Sequence, residues 1–292
     1  MIKQALLRNL ARRNPFQVPG IMDGYDVHFV KIYCVFVNSD ELMKNYPDEI
    51  SKRGFHDFLQ EFFSKLGIEL FGIADLGKLS SVKDDNGDDF HTAISFAVPM
   101  NPGVMSGIEK GPNQYYAEEY ARVNGLIDTI SSALTGRLRS TACPARALPS
   151  SDRTDPVNLK GDFPHKTAAT RAGLGWIGRN CQLITKQFGP WIRLGTVFLN
   201  LYEEAGRAAR EKIVFGKPCN QSFCGDCQKC VEACPADALM GNPWYPGIPR
   251  EELLDARRCD EWKKKHYYQF HRGHNCGICA AVCPFGAKQM RA

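Results

Sequence analysis

A chain of 292 residues with 43% hydrophobic and 24% charged residues has the make-up of an ordinary globular protein, long enough for one large domain or two smaller ones. No apolar run approaches the ~20 residues needed to cross a bilayer, and Arg12-Arg13 is followed by a polar, proline-containing stretch instead of an apolar export core. Membrane spans and twin-arginine export are therefore not expected, and the cytoplasm is the expected location. The net charge of +5 lies wholly from residue 206 onward, where fourteen Lys and Arg face nine Asp and Glu.

In chain order, Ile2, Leu6 and Leu10 share one side of a predicted short helix over 1–13, which Pro15 and Pro19 end. Val27 to Val37 is an almost continuous apolar run rich in Val, Ile, Phe and Tyr, which predicts a buried strand. Asp26-x-His28-x-x-Lys31 half-matches a signature of histidine-ligated cobalamin but lacks its glycine, and is taken as chance.

Phe55, Phe58, Leu59, Phe62, Phe63 and Leu66 recur at helical spacing and predict an amphipathic helix closed by Gly67 in the C′ position. Glu69 to Ala74 and Thr92 to Val98 predict strands on either side of an acidic turn at Asp84–Asp89. Gln114 to Leu134 predicts a longer helix, with Tyr116, Tyr120, Val123, Ile127 and Ile130 on a face that belongs in the core. Residues 135–164, rich in Pro, Ser, Asp and Gly, predict a long loop, and loops of that length tend to be functional.

His165 to Ala172 predicts a helix that runs into Gly173-Leu-Gly175-Trp176-Ile-Gly178, with strand-like Gln182–Thr185 and Trp191–Leu199 beyond and a charged connector over 203–218. The three glycines satisfy the dinucleotide fingerprint in letters only. That fingerprint needs a strand before it and a helix after it, so that a pyrophosphate meets a helix N-terminus. Here the order is helix, glycines, strand, and no acidic residue closes a βαβ unit. The expectation is a close-approach loop, its glycines facing a flat group or a neighbouring helix.

The strongest signal is Cys224-Gly-Asp-Cys227-Gln-Lys-Cys230-Val-Glu-Ala-Cys234-Pro235, the spacing that wraps three thiolates around a [4Fe–4S] cubane and sends the fourth to another cluster. Cys276-Gly-Ile-Cys279-Ala-Ala-Val-Cys283-Pro284 repeats it without the first cysteine, which Cys259 can supply. Cluster one is expected on Cys224, Cys227, Cys230 and Cys283, and cluster two on Cys259, Cys276, Cys279 and Cys234. Structural zinc also uses paired C-x2-C runs but leaves both C-x3-C-P endings unexplained. A disulfide framework would spread its cysteines instead of bunching them. The basic excess around the clusters, including Arg257, Arg258, Lys263, Lys264, Lys265 and Arg272, either offsets thiolate charge or steers an acidic donor or a nucleic acid.

Lys166-Thr-Ala-Ala-Thr-Arg171-Ala-Gly173-Leu-Gly175-Trp176-Ile-Gly178-Arg-Asn180, then Phe188-Gly189, then the double-cluster tail with Asp255-Ala-Arg-Arg-Cys259, resembles the epoxyqueuosine reductase and reductive dehalogenase superfamily over roughly residues 52–288. The resemblance implies an α+β architecture: a nitroreductase-like cobalamin-type domain followed by a ferredoxin-like double-cluster module. The corresponding division is an extension over 1–50, a catalytic domain over 51–205 and a cluster domain over 206–292. It further implies that electrons pass from the clusters to cobalt, which reduces an epoxide or a carbon–halogen bond.

Two departures shape the expectations. The family's acidic residue, twelve positions before Arg171, falls on Leu159, so His165 and Asp162 become the candidate proton donors. The helical-repeat domain that helps relatives hold tRNA is not expected in a sequence ending nine residues after Cys283, so tRNA is possible but not favoured. Lys166, Arg171, Gly173, Gly175, Trp176 and Gly178 are the expected cofactor-binding residues. The expected partners are a small-molecule substrate and a low-potential donor such as ferredoxin or flavodoxin. The competing expectation is an electron-transfer protein with no organic cofactor.

Overall fold

The computed structural model describes residues 54–141, 143–200, 213–270, 272 and 274–290. The helix expected over 1–13, the strand over 27–37, the 1–50 extension and most of the charged connector fall outside the described residues.

Helix α1 (Phe55–Lys65) forms where the phenylalanine spacing places it and buries Phe58, Leu59, Phe62 and Phe63. Its end is a Schellman motif. Gly67 takes φ 69°, its N–H bonds Ser64 O (3.1 Å), and the N–H of Ile68 bonds Phe63 O (2.9 Å). Strand β1 (Leu70–Asp75) leads to an acidic turn organised by Asp84, whose Oδ1 accepts from the N–H groups of Asn86 and Asp88. Strand β2 (Thr92–Pro99) follows, then a short helix α2 (Pro102–Ser106) capped by Asn101, and α3 (Gln114–Ser140) capped by Asn113.

The long helix runs six residues past its expected end at Leu134, and β3 (Ala145–Leu148) occupies part of the expected loop. The reason is burial. Leu138 continues the apolar stripe one turn beyond Leu134 and is 1% exposed, while Gly136 costs the helix propensity but blocks nothing. The loop proper is residues 149–164. Helix α4 (His165–Arg171), the hairpin β4 (Trp176–Ile177) and β5 (Leu183–Ile184), and β6 (Ile192–Leu199) complete this part.

The main sheet is antiparallel in the order β1-β2-β6-β3, and helices cover both faces, making the fold α+β. Phe96 lies against Phe63 of α1 on one face and opposite Gly195 of β6, where a Cβ would overlap its ring. On the other face Ala93 and Ala97 of β2 share a core cluster with Ala168, Ala169 and Ala172 around α4 and with Phe163 and Phe198. Gly72 lets the end of α4 approach so closely that an added Cβ would lie 2.6 Å from Ala172 O. This brings the first turn of α4 over β6, where His165 meets Thr196.

The C-terminal part contains α5 (Lys229–Glu232), α6 (Ala256–Tyr267), α7 (Ile278–Ala281) and α8 (Pro284–Ala287). It docks on the sheet through backbone-level contacts: Trp191 Nε1 donates to Ala280 O (2.9 Å), Asn180 Nδ2 to Cys279 O (3.2 Å), and Arg179 to Gly225 O (2.7 Å). All described residues fall in one unit.

Candidate functional site

Cysteine spacing and two short helices build the first half of the site. Helices α5 and α7 lie side by side, and each motif's last cysteine precedes a proline that opens the next turn. Cys283 is the N-cap of α8, with Pro284 at its first position. As a result Cys283 leaves its own motif and lines one cavity with Cys224, Cys227 and Cys230. Cys234 lies within electrostatic reach of Cys259 and Cys276 instead. Burial, then the neighbouring thiols, pushes Cys230 up to about 11, and burial is also the first cause of the rise of Cys276 to about 11.

Among the described residues no three His, Cys, Asp or Glu side chains converge on a single metal ion, and the described cysteines form no disulfide. Four thiols spread around a cavity suit a cubane better than one zinc, whose ligands must all lie at about 2.3 Å. Two buried polar groups beside the thiols support the fit: Trp176 Nε1 and both amide atoms of Asn275 lack partners among the described residues. Trp176 packs with Cys283 and Cys224, and its ring meets Phe223 and Phe285 edge-on. Asn275 is 4% exposed and directly precedes Cys276. Cys219 packs in the same cluster of side chains, but its thiol is directed at Gln221 O (3.7 Å).

The second half is an open cleft of about 300 Å³ between the first turn of α4, the β4–β5 hairpin, β6 and α7. Met100, Met105, Leu183 and Ile192 give it an apolar wall, and Tyr116, Lys166, Cys181, Gln182 and Arg193 line the rest. Lys166 Nζ donates to Cys181 O (2.7 Å) and approaches Cys181 Sγ at 2.9 Å. Cys181 takes φ 59°, a left-handed conformation that a cysteine rarely adopts and that the surrounding turn imposes. Arg193 is fully engaged, donating to Asn124 Oδ1 (2.9 Å) and Ser150 O (3.1 Å) with its guanidinium 4.2 Å above the Tyr120 ring. A smaller cavity of about 200 Å³, bordered by Ser151, Asp152 and Asp162, adjoins the cleft at Ser150, Pro164 and His165.

Several expected site residues turn out to be engaged elsewhere. His165 Nε2 must carry its proton, because the Pro149 carbonyl 2.9 Å away can only accept; Nδ1 then accepts from the Thr196 hydroxyl at 2.9 Å. Burial pushes its pKa down to about 4. The reason for choosing it as a proton donor, a pKa near neutrality, is thereby lost, and the ring is a fixed neutral wall. Asp162 is at the rim of the smaller cavity, 3.6 Å from Arg146 and partly exposed. Arg171 donates to Asp75 O (2.7 Å) and ties α4 to β1 instead of facing the cleft. The glycines pack against the chain itself. A Cβ on Gly173 would meet Lys217 O at 2.8 Å, one on Gly175 would overlap Ile184 O, and one on Gly178 would overlap the Ile184 side chain. Their missing side chains are filled by protein, not by a macrocycle.

The described residues therefore fit two clusters. The cleft beside the second set of thiols is open, with about 300 Å³ of space. Sequence reasoning passed over Cys181 and Gln182, which no motif marks, and assigned Tyr116 to the core alone.

His165 also predicts a pH effect. Its pKa is 6.5 when unperturbed and about 4 in the fold, so between those values the unfolded chain binds more protons. Stability should fall as pH drops from about 6.5 towards 4. Urea melts across that window should show a weaker slope for His165→Gln; an unchanged slope would show that the imidazole is not held neutral.

Comparison with known proteins places these features in context. A 4Fe-4S double cluster binding domain family matches residues 223–286. The epoxyqueuosine reductase of Listeria monocytogenes is 32% identical over 127 residues, covering 43% of this chain and 30% of that protein. The one from Synechocystis sp. is 35% identical over 141 residues, covering 44% and 41%. Among solved structures, a catabolic reductive dehalogenase superposes with a TM-score of 0.61 at 16% identity, covering 87% of this chain and 36% of that one. The matched stretches thus span well under half of these relatives' own length. The chain is similar in sequence to epoxyqueuosine reductases over less than half of its length, and in fold to a reductive dehalogenase.

Proposed function

We propose that the chain is an iron–sulfur oxidoreductase whose two [4Fe–4S] clusters feed electrons, one at a time, to a small polar acceptor in the cleft. The observation that carries this is the position of the cleft against the second set of thiols. Its wall includes Ala280, next to Cys279, and Tyr116, which would contact a Cβ on Gly277 at 2.9 Å. The ligand partition is the crossed one, with Cys224, Cys227, Cys230 and Cys283 on one cluster and Cys234, Cys259, Cys276 and Cys279 on the other.

Cleavage of an epoxide or a carbon–halogen bond consumes two electrons, which two one-electron clusters can deliver in turn. The Lys166 ammonium faces the same space and would stabilise negative charge developing on the acceptor, while the apolar wall excludes water. His165, neutral and held on both nitrogens, fixes the first turn of α4 without moving a proton. The curated relatives' name supports an epoxide as the acceptor group. The nitroreductase-like description of the sheet domain, the boundary near residue 205, the ferredoxin- or flavodoxin-type donor and the cytoplasmic location belong to the same proposal. No helix among the described residues is long and apolar enough to cross a membrane.

A second reading, a nucleic-acid-borne substrate, draws on the exposed Arg257, Arg258, Lys264 and Lys265 of α6. Anaerobically purified protein should contain about eight iron and eight acid-labile sulfide atoms, two cubanes' worth, with little zinc. After reduction by dithionite and its removal, a model epoxide or hydroxocobalamin should restore the oxidised cluster absorbance faster in the parent than in Lys166→Met. Stoichiometric zinc without sulfide would overturn the cluster assignment. Reoxidation by a protein partner but by neither small molecule would favour plain electron transfer.

A further inference from the structure

Among the residues that line the cleft, Gln182 also reaches a cluster thiol: its Nε2 donates to Cys279 Sγ at 3.6 Å. The backbone holds the amide there. Gln182 N–H is bonded to Asn180 Oδ1 (3.2 Å), its carbonyl accepts from the N–H of Gly178 (2.9 Å), and Asn180 Nδ2 in turn grips Cys279 O (3.2 Å). One small loop between β4 and β5 therefore registers itself on the backbone of Cys279 and aims a side-chain donor at its sulfur. Among the described residues the amide oxygen of Gln182 has no protein partner and is left to the cleft.

Reduction adds one electron, and so one negative charge, to a cluster whose thiolates already carry negative charge. A hydrogen bond to a ligand sulfur withdraws some of that charge and favours the reduced state. Cys279 is also half-buried, and burial, then Cys276 and Cys259, raises its thiol well above the ordinary value, so water reaches that sulfur only in part. In such surroundings one N–H donor counts for more than it would at an exposed sulfur.

We infer that Gln182 is a positioning residue that sets the reduction potential of the second cluster from within the cleft, so that a cleft molecule donating a hydrogen bond to its amide oxygen makes that cluster easier to reduce. Donation to the oxygen polarises the amide and strengthens its N–H towards sulfur. The molecule this suits is a small hydroxyl- or amine-bearing one, matching a cleft that offers the free carbonyl oxygen of an amide. No proton is transferred and no bond to iron changes. The inference rests on the two-cluster reading above.

The test is an EPR-monitored redox titration of the cluster-loaded chain and its Gln182 variants. Gln182→Leu should lower the midpoint of the second cluster alone, by about tenfold in the reduced-to-oxidised ratio at fixed poise, or about 59 mV for one electron. Gln182→Glu, nearly isosteric but without the donor, should lower it as well, which guards against a packing effect of leucine. Gln182→His, which restores an N–H at similar reach, should recover part of the shift. With glycerol as a hydroxyl-bearing probe at high concentration, the second midpoint of the parent should rise, and that of Gln182→Leu should not. Full iron content with unmoved midpoints, or both clusters moving together, would overturn the inference. Failure of the parent itself to load two clusters would overturn the reading beneath it instead.

Discussion

Cys283→Ser should abolish the same cluster as Cys230→Ser, although the two cysteines belong to different motifs, and should halve the iron content. Cys283 lines one cavity with Cys224, Cys227 and Cys230 and caps the N-terminus of α8. By the same logic Cys234→Ser and Cys259→Ser should each spare that cluster and remove the other. Four thiolates make a complete set, so loss of one leaves an open iron site and a labile cluster. Iron and sulfide analysis with EPR of the four single variants decides the matter. Pairing of Cys283→Ser with the signature of Cys276→Ser would show uncrossed ligation and refute the partition.

Gly175→Val should lower the melting temperature strongly while leaving any affinity for added cobalamin unchanged. A Cβ there overlaps Ile184 O, and that carbonyl belongs to the strand whose register pairs Trp176 with Ile184, so it cannot swing aside as a flexible side chain would. Overpacking typically costs about 1–3 kcal/mol, and a clash with backbone belongs at the upper end. For a protein of this size about 3 kcal/mol corresponds to roughly 6–12 °C. Gly136→Ala is the control. Nothing lies within 4 Å of a Cβ there, and alanine in an exposed helix interior should stabilise by about 0.5–1 kcal/mol. If Gly175→Val kept its stability but lost cobalamin binding, the glycines would be facing a cofactor after all.

Periodicity and spacing foretold the elements whose environment is set locally. The Phe55–Leu66 stripe produced α1 with its glycine stop, Thr92–Val98 produced β2 to within one residue, and the order helix, glycines, strand was correct. Where the helical pattern weakened after Leu134, propensity suggested a loop. Burial of Leu138 against the rest of the fold extended the helix regardless.

The chemistry of the candidate site divides along the same line. The eight candidate cysteines stood out because a cubane demands thiolates at particular intervals, but that Cys283 lines a cavity with Cys224, Cys227 and Cys230 shows only in the fold. The role of His165 was not legible. An imidazole is placed near neutrality by default, and only burial in the fold, helped by Arg193 from a distant strand and opposed by the bond to the Pro149 carbonyl, drives its pKa down to about 4. Nor could the sequence distinguish glycines that face a cofactor from glycines that face their own backbone, since both need the same missing side chain. The contact between Gln182 and Cys279 joins residues 97 positions apart. Ligand spacing is a property of contiguous chain and can be read from it; solvation, clash and hydrogen bonding to a distant sulfur exist only once the chain has folded back on itself.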